Sequence, residues 1–345
     1  MQAVMCAGAG QLYVEKQPKP DISTGMIRAK IAFGGICGSD LHYYQHGGFG
    51  QVRIKEPLAL GHEVSGLVDA IGEGVEGRYI GERIAISPSR PCGHCRFCQM
   101  GLHNQCLTMR FYGSAMPFPH IQGAFCEYIM LHPYQVHPVA DHVTLSEAAL
   151  AEPLSVGLHA IQRAGSVVGA NVLVTGCGPI GSLLIGALRR SGAATIVAAD
   201  IADLPLTCAS AMGADKVVNL ATDPEGLSAF TADKGHFDVV FEASGSAPAF
   251  LNALDVVRAR GVVVVVGVGA EVNIPLSQIV GKEIDVRGTF RFHQEFATAV
   301  RFLNDRLVDG RPVISGVQPV ANVIAAFNMA GDKSKSLKVQ IEFEH

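Results

Sequence analysis

The chain is short of charge. Only 17% of its 345 residues are Asp, Glu, Lys or Arg, while 48% are apolar. That balance excludes a disordered polypeptide and leaves ample material for a core. No block of five or six basic residues occurs and the formal net charge is −4, which disfavours nucleic acid or an anionic membrane surface as partner. No apolar run approaches the ~20 residues that span a bilayer; the β-branched stretch 262–266 is among the longest. Met1-Gln2-Ala3-Val4 does not open a basic stretch followed by an apolar one, the mark of a secretory signal. Nine cysteines in such a chain are expected to be reduced thiols and metal ligands. The expected location is the cytoplasm.

A chain of this length is expected to form two domains. Residues 1–149 read as β-rich, with short apolar runs at 27–33, 63–70, 83–86 and 125–131 broken by Gly, Pro and polar residues. From about 150 the pattern alternates. Strands are expected at 172–175, 196–200, 216–218, 237–242 and 261–267, with helices at 181–190, 206–212 and 247–257 between them. Continuous apolar strands separated by helices predict an α/β doubly wound parallel sheet over 150–290, covered on both faces. The remainder, 291–345, carries a helical stretch at 295–303 and a strand at 338–343, and is expected to return to the first domain.

Four cysteines crowd into one loop, Cys92-x2-Cys95-x2-Cys98-x7-Cys106. Four thiolates at that spacing can close a tetrahedral Zn²⁺ site that leaves no position for solvent, hence a structural metal lobe at about 88–110. A different set lies outside it: Cys37, His62, Glu63 and Glu152. Thiolate, imidazole and carboxylate are zinc ligand types, and three protein ligands leave a fourth position for water or a substrate oxygen. Zinc there would acidify an alcohol and polarise a carbonyl. Glu63 and Glu152 compete for the third place. Neighbours on an extended strand point oppositely, so His62 and Glu63 both binding needs an irregular backbone. Glu152 is favoured as ligand, with Glu63 as its support or as an alternating ligand. Ser39 and His42 follow Cys37 closely and could relay a proton from a buried alcohol to solvent.

Gly176-Cys177-Gly178-Pro179-Ile180-Gly181 follows the strand 172–175 and opens a helix. Gly176 suits the tight turn, Gly178 the approach of a pyrophosphate, and Gly181 the close packing of helix on strand, while the helix start offers free N–H groups to an anion. Asp200 ends the next strand, nineteen residues past Gly181. A carboxylate there accepts from both ribose hydroxyls and repels a 2′-phosphate, so NAD is expected as cofactor. Gly267 and Arg291 complete the expected cofactor contacts.

With these motifs the chain resembles the zinc-containing medium-chain alcohol and polyol dehydrogenases along essentially its whole length. The resemblance implies a GroES-like β-rich catalytic domain, discontinuous in sequence, beside a Rossmann domain. It implies one catalytic zinc on Cys37, His62 and Glu152, one structural zinc on Cys92, Cys95, Cys98 and Cys106, and a homodimer or homotetramer. Residues 37–44 are similar to the sorbitol dehydrogenase branch. Residues 109–120, 288–292 and 330–333 are instead similar to the L-idonate 5-dehydrogenases, which interconvert the sugar acid L-idonate with 5-keto-D-gluconate. Some of that branch accept NADP, so the resemblance leaves both dinucleotides open. An aldonate carries a carboxylate roughly 5 Å from its C5 in an extended chain. Arg110 and Arg291 are candidates to hold it, with Tyr43, Phe118 and His120 as further substrate contacts. Two other readings stand beside this one: a dehydrogenase of neutral polyols or threonine, and a non-catalytic nucleotide-binding relative, which would lack the open metal ligands.

Overall fold

A computed structural model describes residues 1–269 and 271–343; residues 344–345 of the expected C-terminal segment lie outside them. The chain divides into two compact units. One comprises Met1–Glu152, Phe296–Arg306 and Ile314–His345, the other Pro153–Glu295 and Leu307–Val313.

The first unit is built on a mixed sheet ordered Val136–Pro138, Arg83–Ile86, Glu63–Ile71, Ile27–Gly35, Lys338–Glu342 and Ile314–Pro319. Its centre is Ile27–Gly35, where Ile27, Ala29 and Ile31 are fully buried. That strand pairs antiparallel with Glu63–Ile71 on one side, Gly35 opposite Glu63, and with Lys338–Glu342 on the other, Gln340 opposite Gly35. Residues 63 and 338 thus flank the same end of one strand, although 275 positions separate them. A small sheet of Gln11–Lys16, Gln2–Gly8 and Leu58–Ala59 shares the core, into which Phe125, Phe327 and Phe343 are sunk.

The second unit is a six-stranded parallel sheet ordered Lys216–Asn219, Thr195–Asp200, Asn171–Thr175, Phe237–Glu242, Val257–Val265 and Asp285–Gly288. Val172, Leu173 and Val174 are all buried in succession, as a strand covered on both faces requires. Helices Pro179–Arg190, Asp203–Ala211 and Ala247–Val256 connect the strands. The β-rich and parallel α/β halves have the predicted character, with shifted elements: the helix expected at 206–212 runs Asp203–Ala211, and one strand moves further. The strand expected at 261–267 runs from Val257 to Val265. Its pairing shifts register between Phe237 and Val239, and Arg260 takes φ +58°. Such a bulge absorbs extra residues and lets the β-branched strand start earlier. Gly267 consequently lies in the bend beyond the strand. The helix Ala151–Ala164 and the edge strand Asp285–Gly288 have no counterpart in the sequence-based expectation.

Candidate metal and dinucleotide sites

The cysteine lobe assembles locally. Ligand atoms of Cys92, Cys95, Cys98 and Cys106 all lie within 4.8 Å of one another. Backbone amides point at the sulfurs: Cys92 N–H donates to Cys106 Sγ at 3.2 Å, and Cys95 N–H to Cys92 Sγ at 3.3 Å. The backbone N–H of His94 draws the Cys92 thiol down to about 5, whereas burial pushes Cys98 up to about 12. Amides aimed at sulfur favour thiolate, and four sulfurs at this range fit a tetrathiolate zinc.

The second constellation is assembled from distant segments. Cys37 precedes helix Gly38–His46 as its N-cap. His62 follows Gly61, at φ +92°, and comes just before the strand that begins at Glu63. This break in the extended backbone lets both neighbours turn inward: ligand atoms of Cys37, His62 and Glu63 lie within 4.8 Å of one another. The Glu63 side chain lies so close over Gly35 that a Cβ there would come 2.2 Å from Oε2. Glu152 is outside this trio of ligand atoms. It sits in the first turn of Ala151–Ala164, 6% exposed. Burial, reinforced by the negative charges of Glu63 and Cys37 against the pull of His62, pushes its carboxyl up to about 8. Burial and the Glu63 charge likewise push Cys37 up to about 12.

Two residues at this site have no signal in the sequence. Lys338, 3% exposed, reaches the Glu63 carboxylate at 2.7 Å and the Ile36 carbonyl at 3.0 Å. Burial alone would lower its pKa, but the Glu63 and Cys37 charges outweigh that and raise it. Asp40, fully buried, accepts from Cys37 N–H at 3.0 Å and Gly61 N–H at 3.2 Å, so one carboxylate ties together the two ligand-bearing turns. His62 Nδ1 is buried without a hydrogen-bond partner among the described residues. It lies 3.9 Å from Asp40 Oδ1, too far for a direct bond. A thiol, an imidazole and a carboxylate with ligand atoms within 4.8 Å of one another are a donor set that fits a divalent transition metal.

Ser39 and His42 share the helix after Cys37, and their i, i+3 spacing puts them on one face. Ser39 is half-buried and His42 exposed, the order a path from site to solvent requires. Partial burial, then His46 and Lys333, hold His42 below its usual pKa.

The proposed substrate contacts divide. Tyr43 belongs to the hydrophobic core, and its hydroxyl accepts from Ala115 N–H at 3.0 Å. His120 is committed to its own loop: Nε2 accepts from Lys55 N–H at 2.8 Å, which leaves Nδ1–H to donate to the Pro117 carbonyl at 2.8 Å. Neither ring nitrogen remains for a substrate. Phe118 is 63% exposed and stacks edge-on against His120. Arg110 is exposed on the strand Arg110–Phe111, next to Phe111, whose ring lies 5.4 Å from that of His62. Arg291, in the other unit, is half-buried at φ +54°, its guanidinium 4.9 Å from the Phe290 ring centroid.

In the second unit the glycine turn has the backbone its sequence requires. Gly176 takes φ +84°, and a Cβ on Gly181 would come 1.9 Å from the Gly176 carbonyl oxygen. Gly178 is the N-cap of helix Pro179–Arg190, with Pro179 and Ile180 half-buried in its first turn. Asp200 Oδ2 accepts from Cys177 N–H at 2.7 Å, and Oδ1 accepts from Ile201 N–H at 2.7 Å and Ala202 N–H at 3.1 Å. The carboxylate therefore sits against the turn, where a dinucleotide ribose and pyrophosphate would be held together. Gly267 is packed on Gly245, where a Cβ would meet the Gly245 nitrogen at 2.1 Å.

Comparison with known proteins finds a family match in each half of the chain. Residues 23–141 match the alcohol dehydrogenase GroES-like domain, and residues 179–305 match the zinc-binding dehydrogenases. The chain is 43% identical to the L-idonate 5-dehydrogenase (NAD(P)(+)) of Escherichia coli K12, with 99% of this chain and 98% of the relative covered. It is 33% identical to the sorbitol dehydrogenase of Bacillus subtilis 168, with 99% and 97% covered. The crystal structure of the Escherichia coli L-idonate 5-dehydrogenase matches at a TM-score of 0.95 and 42% identity, over 99% of this chain and 98% of that one.

Proposed function

The chain belongs to the zinc-binding alcohol dehydrogenases with a GroES-like domain, and from that premise we propose that it oxidises the C5 secondary alcohol of L-idonate, reversibly, to 5-keto-D-gluconate, with NAD or NADP as hydride acceptor. The observation that carries the substrate is the 43% identity to an L-idonate 5-dehydrogenase along 99% of the chain.

Cys37 and His62 would hold the catalytic zinc together with a carboxylate, Glu63 from the trio or Glu152 from the neighbouring helix. Cys92, Cys95, Cys98 and Cys106 would hold the structural one. Zinc held there would supply Lewis acidity toward a hydroxyl, and a nicotinamide dinucleotide would supply the hydride acceptor. The chain's own residues do the rest. Ser39 Oγ accepts the alcohol proton and donates its own onward, and His42, kept neutral by its lowered pKa, takes the proton to solvent. The turn 176–181 and the start of its helix hold the pyrophosphate, and the Asp200 carboxylate takes the ribose hydroxyls. Arg291 is the candidate for the sugar-acid carboxylate; Arg110 stands opposite Arg90, on the face of its strand pair turned away from Phe111 and His62. Tyr43 and His120 hold the architecture, because their polar atoms bond to backbone.

Purified protein is to be assayed on L-idonate, sorbitol, xylitol and L-threonine with each dinucleotide. The proposal expects L-idonate to have the highest kcat/KM. A preference for sorbitol or xylitol would transfer the chain to the neutral-polyol reading, which the 33% identity to a sorbitol dehydrogenase supports.

A further inference from the structure

We propose that Ser89 is a specificity-determining residue of this reaction: its hydroxyl binds a substrate hydroxyl on a carbon next to the one oxidised. The proposal rests on the dehydrogenase reading above. Ser89 is 4% exposed, and its Oγ has no hydrogen-bond partner among the described residues.

The hairpin around it fixes where that oxygen lies. Ser89–Arg90 pairs antiparallel with Arg110–Phe111, and Ser89 stands directly opposite Phe111. Directly opposed residues project from the same face. The Phe111 ring packs against the His62 ring at 5.4 Å, so Ser89 projects toward the side that carries the metal-ligand histidine. Arg90, one residue on, projects the other way, its guanidinium 5.0 Å from the Tyr112 ring centroid. The pairing continues one step past Ser89 and Phe111, and one backbone approach sets the strand pair against the histidine turn. Tyr112 N–H donates to the Pro88 carbonyl at 3.2 Å. Gly113 lies against Gly61, where a Cβ would come 3.0 Å from the Gly61 nitrogen. His62 Nδ1 and Ser89 Oγ, both buried and both without partners, thus belong to one side of one hairpin.

A buried hydroxyl without a partner destabilises the fold, and a bound ligand that supplies a partner removes that cost. A serine hydroxyl donates and accepts. It therefore matches a neutral substrate hydroxyl, which does the same, and it carries no charge for an anion. The chemical class selected is a vicinal diol or longer polyol, as opposed to an isolated secondary alcohol. Sites built to bond a substrate hydroxyl reject the analogue that lacks it.

The test compares zinc-loaded wild-type protein with Ser89→Ala on L-idonate, on 2,3-butanediol and on 2-butanol. An alcohol too poor to turn over is compared as a competitive inhibitor through its Ki. The proposal expects kcat/KM for L-idonate and the diol to fall about tenfold. It expects 2-butanol to stay within about twofold, and Tm to hold or rise because an unpaired polar group leaves the interior. Equal losses on diol and monoalcohol, or a lowered Tm, would assign Ser89 a structural role and overturn the proposal. Failure of the unaltered protein to oxidise or bind any of the three would overturn the dehydrogenase reading itself, which is a different result. Oxidation of the diol without L-idonate would move the substrate while leaving the Ser89 comparison intact.

Discussion

The two candidate metal constellations of this chain are made in opposite ways. The four cysteines of the lobe fall within fifteen residues, and their sulfurs are served by amides from the same loop. The other site draws Cys37 from a helix N-cap, His62 and Glu63 from a strand entry, Glu152 from a helix start, and Lys338 from the last strand. The lobe can close before the rest of the chain folds. The second site exists only once Glu63–Ile71 and Lys338–Glu342 have both docked on Ile27–Gly35. A local tetrathiolate is a fold-stabilising device, whereas a site gathered from the whole sheet is as precise as that sheet.

The sharpest test of this contrast exchanges ligands in each site separately. Cys37→Ala with His62→Ala should remove one zinc per chain by metal analysis and lower kcat by about 10³-fold or more, since Lewis-acid stabilisation of several kcal/mol is lost. Its Tm should change little. Cys98→Ser should remove the other zinc and lower Tm by about 4 °C, as expected for about 3 kcal/mol in a chain of this size. The fraction that stays folded should keep a kcat close to that of the parent. If the Cys98 variant lost activity as deeply as the Cys37/His62 variant while its Tm held, the assignment of roles would be reversed.

The next effect concerns Lys338. Among the described residues it is the one fully buried lysine or arginine, and removing one partner of a buried ion pair strands the other charge, at about 3–5 kcal/mol. Lys338→Met should therefore destabilise the metal-free protein by roughly that amount in urea unfolding. Zinc should narrow the difference, because a cation then faces Glu63 from the other side. Equal loss with and without zinc would show that Lys338 supports packing alone.

Much of this molecule is legible in its sequence where the physics is local. The glycine turn at 176–181, the strand Phe237–Glu242 and the cysteine spacing all follow from neighbours a few residues apart. Side-chain direction is a different matter. Tyr43 and His120 carry chemistry suited to a sugar, but core packing and loop hydrogen bonds decide where their polar atoms go, and neither has a sequence signature. Lys338 and Asp40 are invisible for the same reason. An ordinary lysine in a terminal strand becomes part of the site only through a pairing across 275 residues. The irregular backbone at Gly61 explains why Glu63, not Glu152, stands in the trio with Cys37 and His62.

The smallest effect asks whether burial or distance along the chain gives such pairings their weight. Glu147 and Arg306 are 159 residues apart and joined by a hydrogen-bonded ion pair, yet the arginine is 35% exposed. Burial tends to raise the Glu147 carboxyl, but its bonds to Arg306 and Thr144 prevail and hold it below the usual range. A carboxyl depressed in the folded state stabilises fully above its unfolded pKa, near ~4.3. That contribution fades as pH falls through the lower folded value. Glu147→Gln should therefore cost about 1 kcal/mol at neutral pH and progressively less in acid, as followed by urea unfolding at a series of pH values. Lys338→Met, with its fully buried pair, should remain several times more costly throughout. If the half-exposed pair matched the buried one, chain separation rather than burial would set the strength of these long-range ties.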